Sequence, residues 1–516
     1  MPERLCDETL RFSARRSRRT LMAKEAAGPG VARRRSLSAA ALLLALSLSA
    51  CAVGPDYQPP AIAVPGSWST AATNQKPVRP SEWWRGLKDP VLNGLIETAI
   101  AGNLDVAQAK ASIREARAAR EQAVGALFPQ VDGGGSANRS RAAGLTRNSF
   151  RAGFDTSWEI DLFGARDRAL EAATYGTDAA FDDLDTVMLT LIGDVASTYV
   201  EARGLQARIA LAQSTAKAQR ATEALTRTRF QAGDISAIDI ARATAQAAGT
   251  EAQIPALRAA LAQSQHRLAV LAGRPPAAMA QPFSRVAAVP TPPAPPRAGI
   301  PADVLSRRPD VRAAERVLAQ ATARIGQAEA NRYPSVSLTG SISTSALKLG
   351  DLAKNSAIGW SFGPSLSVPI FNGGELAAAV DAAKARRDQQ DAALRLAVLT
   401  ALQDVEGGLV GLREERLRLA SLREAAGAST EAERLSRLLY SSGSVSFLDV
   451  LEAQRSLYSA QESLIQSRVA LATQFIALNK ALGGGWLRPV DVSTPAVIDG
   501  ETGPRPRLIP IEEPQP

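Results

Sequence analysis

Apolar and small polar residues alternate along several stretches of the chain. The clearest stretch runs from 150 to 162, where Phe154 and Trp158 fall on one face and Asp155 and Glu159 fall on the other. Alternation with a period of two indicates a β-strand that has one apolar face. Two further stretches show the same pattern, and a fourth is Gly-rich and weaker. The predicted strands cover about 130–138, 150–162, 335–344 and 358–370.

The segments around these strands repeat small or apolar residues at helical spacing. Two predicted helices, 103–127 and 310–331, each end just before a Phe-Pro or Tyr-Pro pair. Longer helical stretches follow at about 165–272 and 375–481. Breaks are expected near Gly204, at Gly233-Asp234, near Gly407-Gly408 and at 441–446. The last helix has a supercoiled packing seam of apolar residues seven apart: Val450, Leu457, Leu464, Leu471 and Leu478.

This order of elements occurs twice. Phe128-Pro129 returns as Tyr333-Pro334, 205 residues later, and Phe230 to Gly233 returns as Tyr440 to Gly443, 210 residues later. Solenoid repeats have periods of about 20–50 residues, so this period indicates a duplicated module. We therefore predict repeat 1 at 81–280, a Pro-rich linker at 281–300, repeat 2 at 301–486 and an irregular C-terminal tail at 487–516.

The N-terminal segment has the composition of a bacterial export signal. Arg33-Arg34-Arg35 precede an apolar stretch at 36–47, which is too short to span a bilayer as a helix. The following Leu48-Ser49-Ala50-Cys51 resembles a lipobox, whose cysteine carries diacylglycerol and a palmitate-type acyl chain. We predict a signal peptide at 1–50, lipidation at Cys51 and an extended tether at 51–80. Because Met22 precedes a compact signal, residues 1–21 are a candidate start-site artefact; the alternative for Cys51 is an ordinary residue near a cleavage site.

The net charge of +9 does not indicate a nucleic-acid partner. Residues 1–50 contain ten Lys and Arg against four acids, which leaves a net charge of +3 for the remaining chain. His266 is the only histidine, so histidine-centred catalysis and histidine metal sites are nearly excluded. We find no nucleotide-binding motif and expect no cofactor, no bound metal and no enzyme activity.

The predicted strands need to pair with further strands that one chain cannot supply. Each is about as long as a tilted strand needs to be to cross a membrane, and the polar face is rich in Ser, Thr and Gly. Lipid does not tolerate an open sheet edge, because every backbone group there must be paired. Four strands cannot close a barrel, but three chains would supply twelve. The alternative is a soluble sheet in a lipid-anchored periplasmic helical scaffold without a pore.

Several motifs carry a family resemblance that covers nearly all of the chain from Cys51 to Trp486. The strongest runs from Ile300 to Leu305 and continues from Arg308 to Glu315; the others are Cys51 to Tyr57, Trp83-Trp84 with Asp89-Pro90, Leu448 to Arg455 and Ala481 to Trp486. Together they make the chain similar to the TolC-like outer membrane factors of tripartite efflux pumps, in their NodT-type outer membrane lipoprotein branch.

The resemblance implies a mainly α-helical protein with a transmembrane β-barrel. It implies a homotrimer whose twelve-stranded β-barrel, four strands from each chain, lies in the outer membrane and continues into a twelve-helix α-barrel in the periplasm. The implied function is passive exit of drugs or other small molecules. The implied partners are a periplasmic adaptor and an inner-membrane transporter of the RND type. A type I secretion or metal-efflux partner is the alternative.

The resemblance also implies a periplasmic aperture closed by charged and aromatic residues. The matching region of repeat 2 contains Asp404 and Glu406, which could form an acidic ring with Arg203 or Arg413 as partners. The matching region of repeat 1 contains Asp194 and Tyr199. The alternative is that these are solvated charges on helix faces, worth under about 1 kcal/mol each.

Overall fold

The computed structural model describes residues 52–69, 82–279, 283–296, 298–485 and 489–493. Eight α-helices and four strands lie in these residues, together with short 3-10 helices. The predicted signal peptide, Cys51 and most of the C-terminal tail lie outside them. The elements are α1 Pro90–Gly102, α2 Leu104–Gly125, β1 Gln130–Ala142, β2 Leu145–Ile160, α3 Ala165–Gln231, α4 Ala237–Leu271, α5 Pro301–Leu305, α6 Pro309–Ala330, β3 Ser335–Ala346, β4 Ile358–Ser367, α7 Glu375–Ser441 and α8 Phe447–Ala481.

The duplication is visible in the element lengths. Helices α2 and α6 each have 22 residues. The long helices α3 and α7 each have 67, and their return partners α4 and α8 each have 35. At about 1.5 Å per residue, α3 and α7 are each roughly 100 Å long. Each repeat is therefore one short helix, one strand pair and one long helical hairpin.

The four strands form one antiparallel sheet in the order β1-β2-β3-β4. Its register places apolar residues beside one another on one face: Phe154 lies opposite Ile342, which lies opposite Trp360. The neighbouring row on the other face is Asp155, Ser341 and Ser361. The predicted alternation of apolar and polar positions thus continues across strands that come from both repeats.

The long helices run straight through two positions where we expected breaks. Gly204 lies inside α3, and Gly407-Gly408 lie inside α7. A Cβ atom on Gly204 would lie 2.3 Å from a methyl group of Val469, and one on Gly408 would lie 3.2 Å from Leu478. These two glycines therefore allow α8 to approach its neighbours closely, and the expected breaks were wrong. The breaks at 232–236 and 442–446 do occur, with Gly233 and Gly443 at positive φ.

Residues 52–69 form an extended strap along the helices. The backbone N–H of Val53 donates to the carbonyl of Phe163, just after β2, at 3.1 Å. Further along, Tyr57, Ile62 and Val64 pack against a buried cluster that includes Leu318 of α6 and Leu394 and Val398 of α7. The strap ends where the Trp68 indole donates to the carbonyl of Gly299 at 3.0 Å. It therefore connects the sheet end of the helices with the linker between the repeats.

Candidate functional site

The sheet presents a broad apolar face that none of the described residues covers. Phe154, Ile342, Phe362 and Leu366 are each more than half exposed, and Trp360 is 78% exposed. A single soluble chain rarely exposes a contiguous apolar surface of this kind. On the opposite face the Ser341 and Ser361 hydroxyls bond at 2.9 Å. One face is thus suited to lipid and the other to water.

Neither edge of this sheet has a partner strand in the part of the chain that the structure describes. Within the described residues, β1 pairs only with β2, and β4 pairs only with β3. All thirteen residues of β1 are exposed. Unpaired backbone groups at a sheet edge are costly in lipid, so the edges require strands from another copy of the chain.

Two arginines at the start of α3 show how the sides of this helix correspond to the two faces of the sheet. Arg166, in the first turn of α3, donates to Glu159 on the polar face of β2 at 2.8 Å. Arg168, two residues later, donates to Asp56 of the strap at 2.6 Å. Two residues correspond to about 200° around a helix. The strap therefore lies on the side of α3 opposite to the polar face of the sheet.

Two of the expected aperture residues are buried in a network. The Tyr199 hydroxyl donates to Asp89 at 2.6 Å, and Arg203 Nε donates to the Tyr199 hydroxyl at 2.9 Å. Arg203 also bonds to the carbonyl of Arg285 at 2.9 Å and lies over the Phe283 ring. Burial, together with the hydrogen bond to Asp89, raises the pKa of Tyr199. This network fastens α3 to α1 and to the linker between the repeats.

The other four expected aperture residues also lie far from the helix turns. Asp404 pairs with the buried Arg308 at 3.0 Å, and Glu406 accepts from Ser69 of the strap at 2.6 Å. Asp194 lies 4.0 Å from Arg267, and Arg413 pairs with its neighbour Glu414.

The position expected for all six residues, at the helical tip, does not agree with the structure. Asp404 lies 37 residues before the end of α7, and Tyr199 lies 32 residues before the end of α3. These separations correspond to roughly 50 Å along each helix. The six residues surround the middle of the helices, where the strap and the linker pack.

The ends of the helical hairpins hold contacts that we did not predict. Arg229 lies over the Tyr440 ring at 4.8 Å, which joins the ends of α3 and α7. Arg455 of α8 donates to Gln246 of α4, and the Tyr458 hydroxyl donates to Gln253 of α4 at 2.8 Å. The repeated Phe230 and Tyr440 could have indicated this region, because they precede both turns.

The described residues contain no helix that is both long and apolar enough to cross a membrane. In the same part of the chain, no group of three or more His, Cys, Asp or Glu side chains is placed to hold a metal ion.

Comparison with known proteins agrees with this architecture. The family profile described as outer membrane efflux protein matches twice, over residues 95–274 and 300–484, once in each repeat. A nodulation protein T of Rhizobium leguminosarum bv. trifolii is 38% identical over 452 residues, which cover 86% of this chain and 96% of the relative. The probable efflux pump outer membrane protein TtgC of Pseudomonas putida is 32% identical over 463 residues, with 86% and 94% covered.

Solved structures give the same result for the fold. The outer-membrane channel OprN superposes with a TM-score of 0.77 at 33% identity, covering 84% of this chain and all of that one. The open state of the Neisseria gonorrhoeae MtrE outer membrane channel superposes with a TM-score of 0.74 at 31% identity, with 84% and 98% covered. The chain has the fold of these channels, and it belongs to the outer membrane efflux protein family.

Proposed function

We propose that three copies of this chain form the exit channel of a tripartite efflux system. The carrying observation is the four-stranded sheet, whose apolar face is not covered and whose two edges are not paired by any described residue. Three copies related by a threefold axis would place β1 of each copy beside β4 of the next and close twelve strands. The twelve long helical segments at each level would then surround a water-filled passage.

The chain is held at the inner surface of the outer membrane through a lipid on Cys51. The strap supports this assignment, because its first residues lie at the end of β2, where Val53 bonds to Phe163. The described strap therefore begins close to the level at which the membrane sheet ends. The helices extend from there into the periplasm, and the hairpin turns lie at the end away from the membrane.

The passage carries drugs or other small molecules that a separate pump delivers. Relatives are named for antibiotic and toluene efflux, among other substrates, which supports a small-molecule cargo. We propose a periplasmic adaptor at the hairpin turns and an inner-membrane transporter of the RND type as the source of energy. The passage is narrowest near the turns, where Arg229, Tyr440 and Arg455 hold the two hairpins together.

Planar-bilayer recording on the detergent-purified protein tests this function. We expect trimers that resist dissociation in mild detergent and that conduct ions in discrete steps. Replacing Trp360 and Phe362 with arginine should abolish insertion, because an arginine on the lipid-facing side costs about 2–4 kcal/mol near the membrane centre. The same substitution at Ser341 and Ser361, on the polar face, is the matched control and should leave insertion intact. A monomer without conductance would instead support the scaffold without a pore.

A further inference from the structure

A cavity of about 340 Å³ lies between α6 and α7, near the end of the helices that adjoins the sheet. Its polar lining consists of guanidinium and amide groups. They come from Gln320, Arg324 and Gln327 of α6, from Asn331 directly after α6, and from Arg386 and Gln390 of α7. None of the described side chains that line it is acidic. The cavity is therefore a hydrogen-bond-donating, positively charged site.

The two arginines of this cavity differ from their neighbours in having no carboxylate partner among the described residues. Arg387, adjacent to Arg386, pairs with Asp388 at 3.1 Å, and Arg332 pairs with Glu329 at 2.8 Å. In the described part of the chain, neither Arg324 nor Arg386 makes an ion pair or a hydrogen bond. Both side chains are exposed to solvent. Their positive charge is thus available to a solute.

Helix geometry places the cavity on the side away from the strap. Glu315 of α6 accepts from Tyr57 of the strap, and Arg324 lies nine residues later, two and a half turns around the helix. On α7, Arg387 faces a second cavity that the strap residues 54–58 also line, whereas Arg386 faces the first. The strap lies opposite to the polar face of the sheet, as Arg166 and Arg168 show. Arg324 and Arg386 therefore share a side with that polar face.

We propose that Arg324 and Arg386 form an anion site on the inner wall of the passage, which binds carboxylate or phosphate groups of exported solutes. The proposal rests on the trimeric channel proposed above. Guanidinium groups bind such oxyanions through paired N–H donors, and the amides of Gln327 and Gln390 add further donors. Three copies bring six guanidinium groups to one level. The resulting ring of six guanidinium groups raises the local concentration of anions just below the barrel.

The polar face of the sheet carries negative charges, and a solute in the passage meets them as well as the six guanidinium groups. Asp132 of β1 lies directly opposite Asp155 of β2, and Glu159 follows on the same face. Both regions contribute to the ion selectivity of the whole channel. The informative quantity is therefore the change in selectivity when the arginines are altered.

Single-channel recording of four proteins tests the site. They are the wild type, the double variant Arg324→Gln/Arg386→Gln, the charge-preserving Arg324→Lys/Arg386→Lys, and Arg387→Gln as a control on the other face of α7. Reversal potentials in a tenfold KCl gradient give the ratio of chloride to potassium permeability. Benzoate and inorganic phosphate are the probes for block.

We expect the glutamine double variant to lower the permeability ratio by about threefold or more and to lose block by both probes. The lysine double variant and Arg387→Gln should keep the wild-type ratio. A conducting glutamine variant with an unchanged ratio and unchanged block would overturn the site and leave the channel function standing. An equal shift in Arg387→Gln would also overturn it. Absence of conductance in all four proteins would overturn the channel function as well.

Discussion

Gly204 offers a sharp test of how the helices pack. It lies in the middle of α3 and faces Val469 of α8. Replacing a mid-helix glycine with alanine normally stabilises a helix by about 1 kcal/mol. Here the new Cβ would lie 2.3 Å from a Val469 methyl group, closer than real carbon atoms approach. Valine is stiff at χ1, so it cannot simply rotate away.

The overlap outweighs the gain in helix propensity. Forcing one extra methyl group into a packed contact costs about 1–3 kcal/mol. Against the gain of about 1 kcal/mol, we expect Gly204→Ala to lower the free energy of unfolding by up to about 2 kcal/mol. The matched control is Gly94→Ala, which lies mid-helix in α1 with nothing within 4 Å of the added Cβ. It should be neutral or stabilising.

Guanidinium unfolding followed by helical circular dichroism gives the comparison in identical detergent. In a Val469→Ala background the overlap disappears, and Gly204→Ala should become neutral or stabilising there. The coupling between the two positions is then the energy of the overlap. If Gly204→Ala behaves like Gly94→Ala in both backgrounds, then α3 and α8 do not pack as closely as described.

Three further predictions concern the pair Asp404 and Glu406, the ends of the helical hairpins, and the half-buried Asp182 of α3. Asp404→Ala with Glu406→Ala should leave single-channel conductance unchanged, because Asp404 pairs with Arg308 and Glu406 binds the strap, both far from the helix turns; a larger conductance would show that these two residues line the aperture. Arg229→Ala with Arg455→Ala should raise the conductance and sensitise cells to large antibiotics, because these residues join the hairpin ends; unaltered values of both would locate the constriction elsewhere. Burial raises the pKa of Asp182, so its contribution to stability is present below about pH 4 and is lost as pH rises through the raised pKa. Asp182→Asn stays neutral, so its free energy of unfolding should fall less between pH 4 and pH 7 than that of the wild type. Equal decreases in the two proteins would contradict a raised pKa for Asp182.

The sequence predicts those features of the fold that depend on local periodicity. The strands predicted at 150–162 and 335–344 follow from alternation, because a strand with one apolar face has a period of two. The structure has them at Leu145–Ile160 and Ser335–Ala346. Proline and glycine indicate the helix ends and hairpin turns for the same local reason. The glycines inside α3 and α7 were misread, because the sequence does not show that Val469 or Leu478 lies across from them. A glycine at a helix crossing and a glycine at a helix break have the same local signature.

The candidate site was predictable only in part. Spacing and composition give the lipid-facing and water-facing sides of the sheet, since each strand carries both. The order of contacts along a helix of 67 residues is set by its neighbours, so the position of Asp404 beside Arg308 could not be read from the chain. The anion site depends on two arginines that lie 62 residues apart, and only the packing of α6 on α7 brings them to one cavity.

Closure of one barrel by three chains is the central claim, and electron cryomicroscopy of the purified protein in detergent tests it most directly. The account predicts a threefold particle in which β1 of each copy pairs with β4 of the next and twelve strands enclose an open passage. Particles that contain a single chain with an unclosed four-stranded sheet, or any copy number other than three, would contradict it.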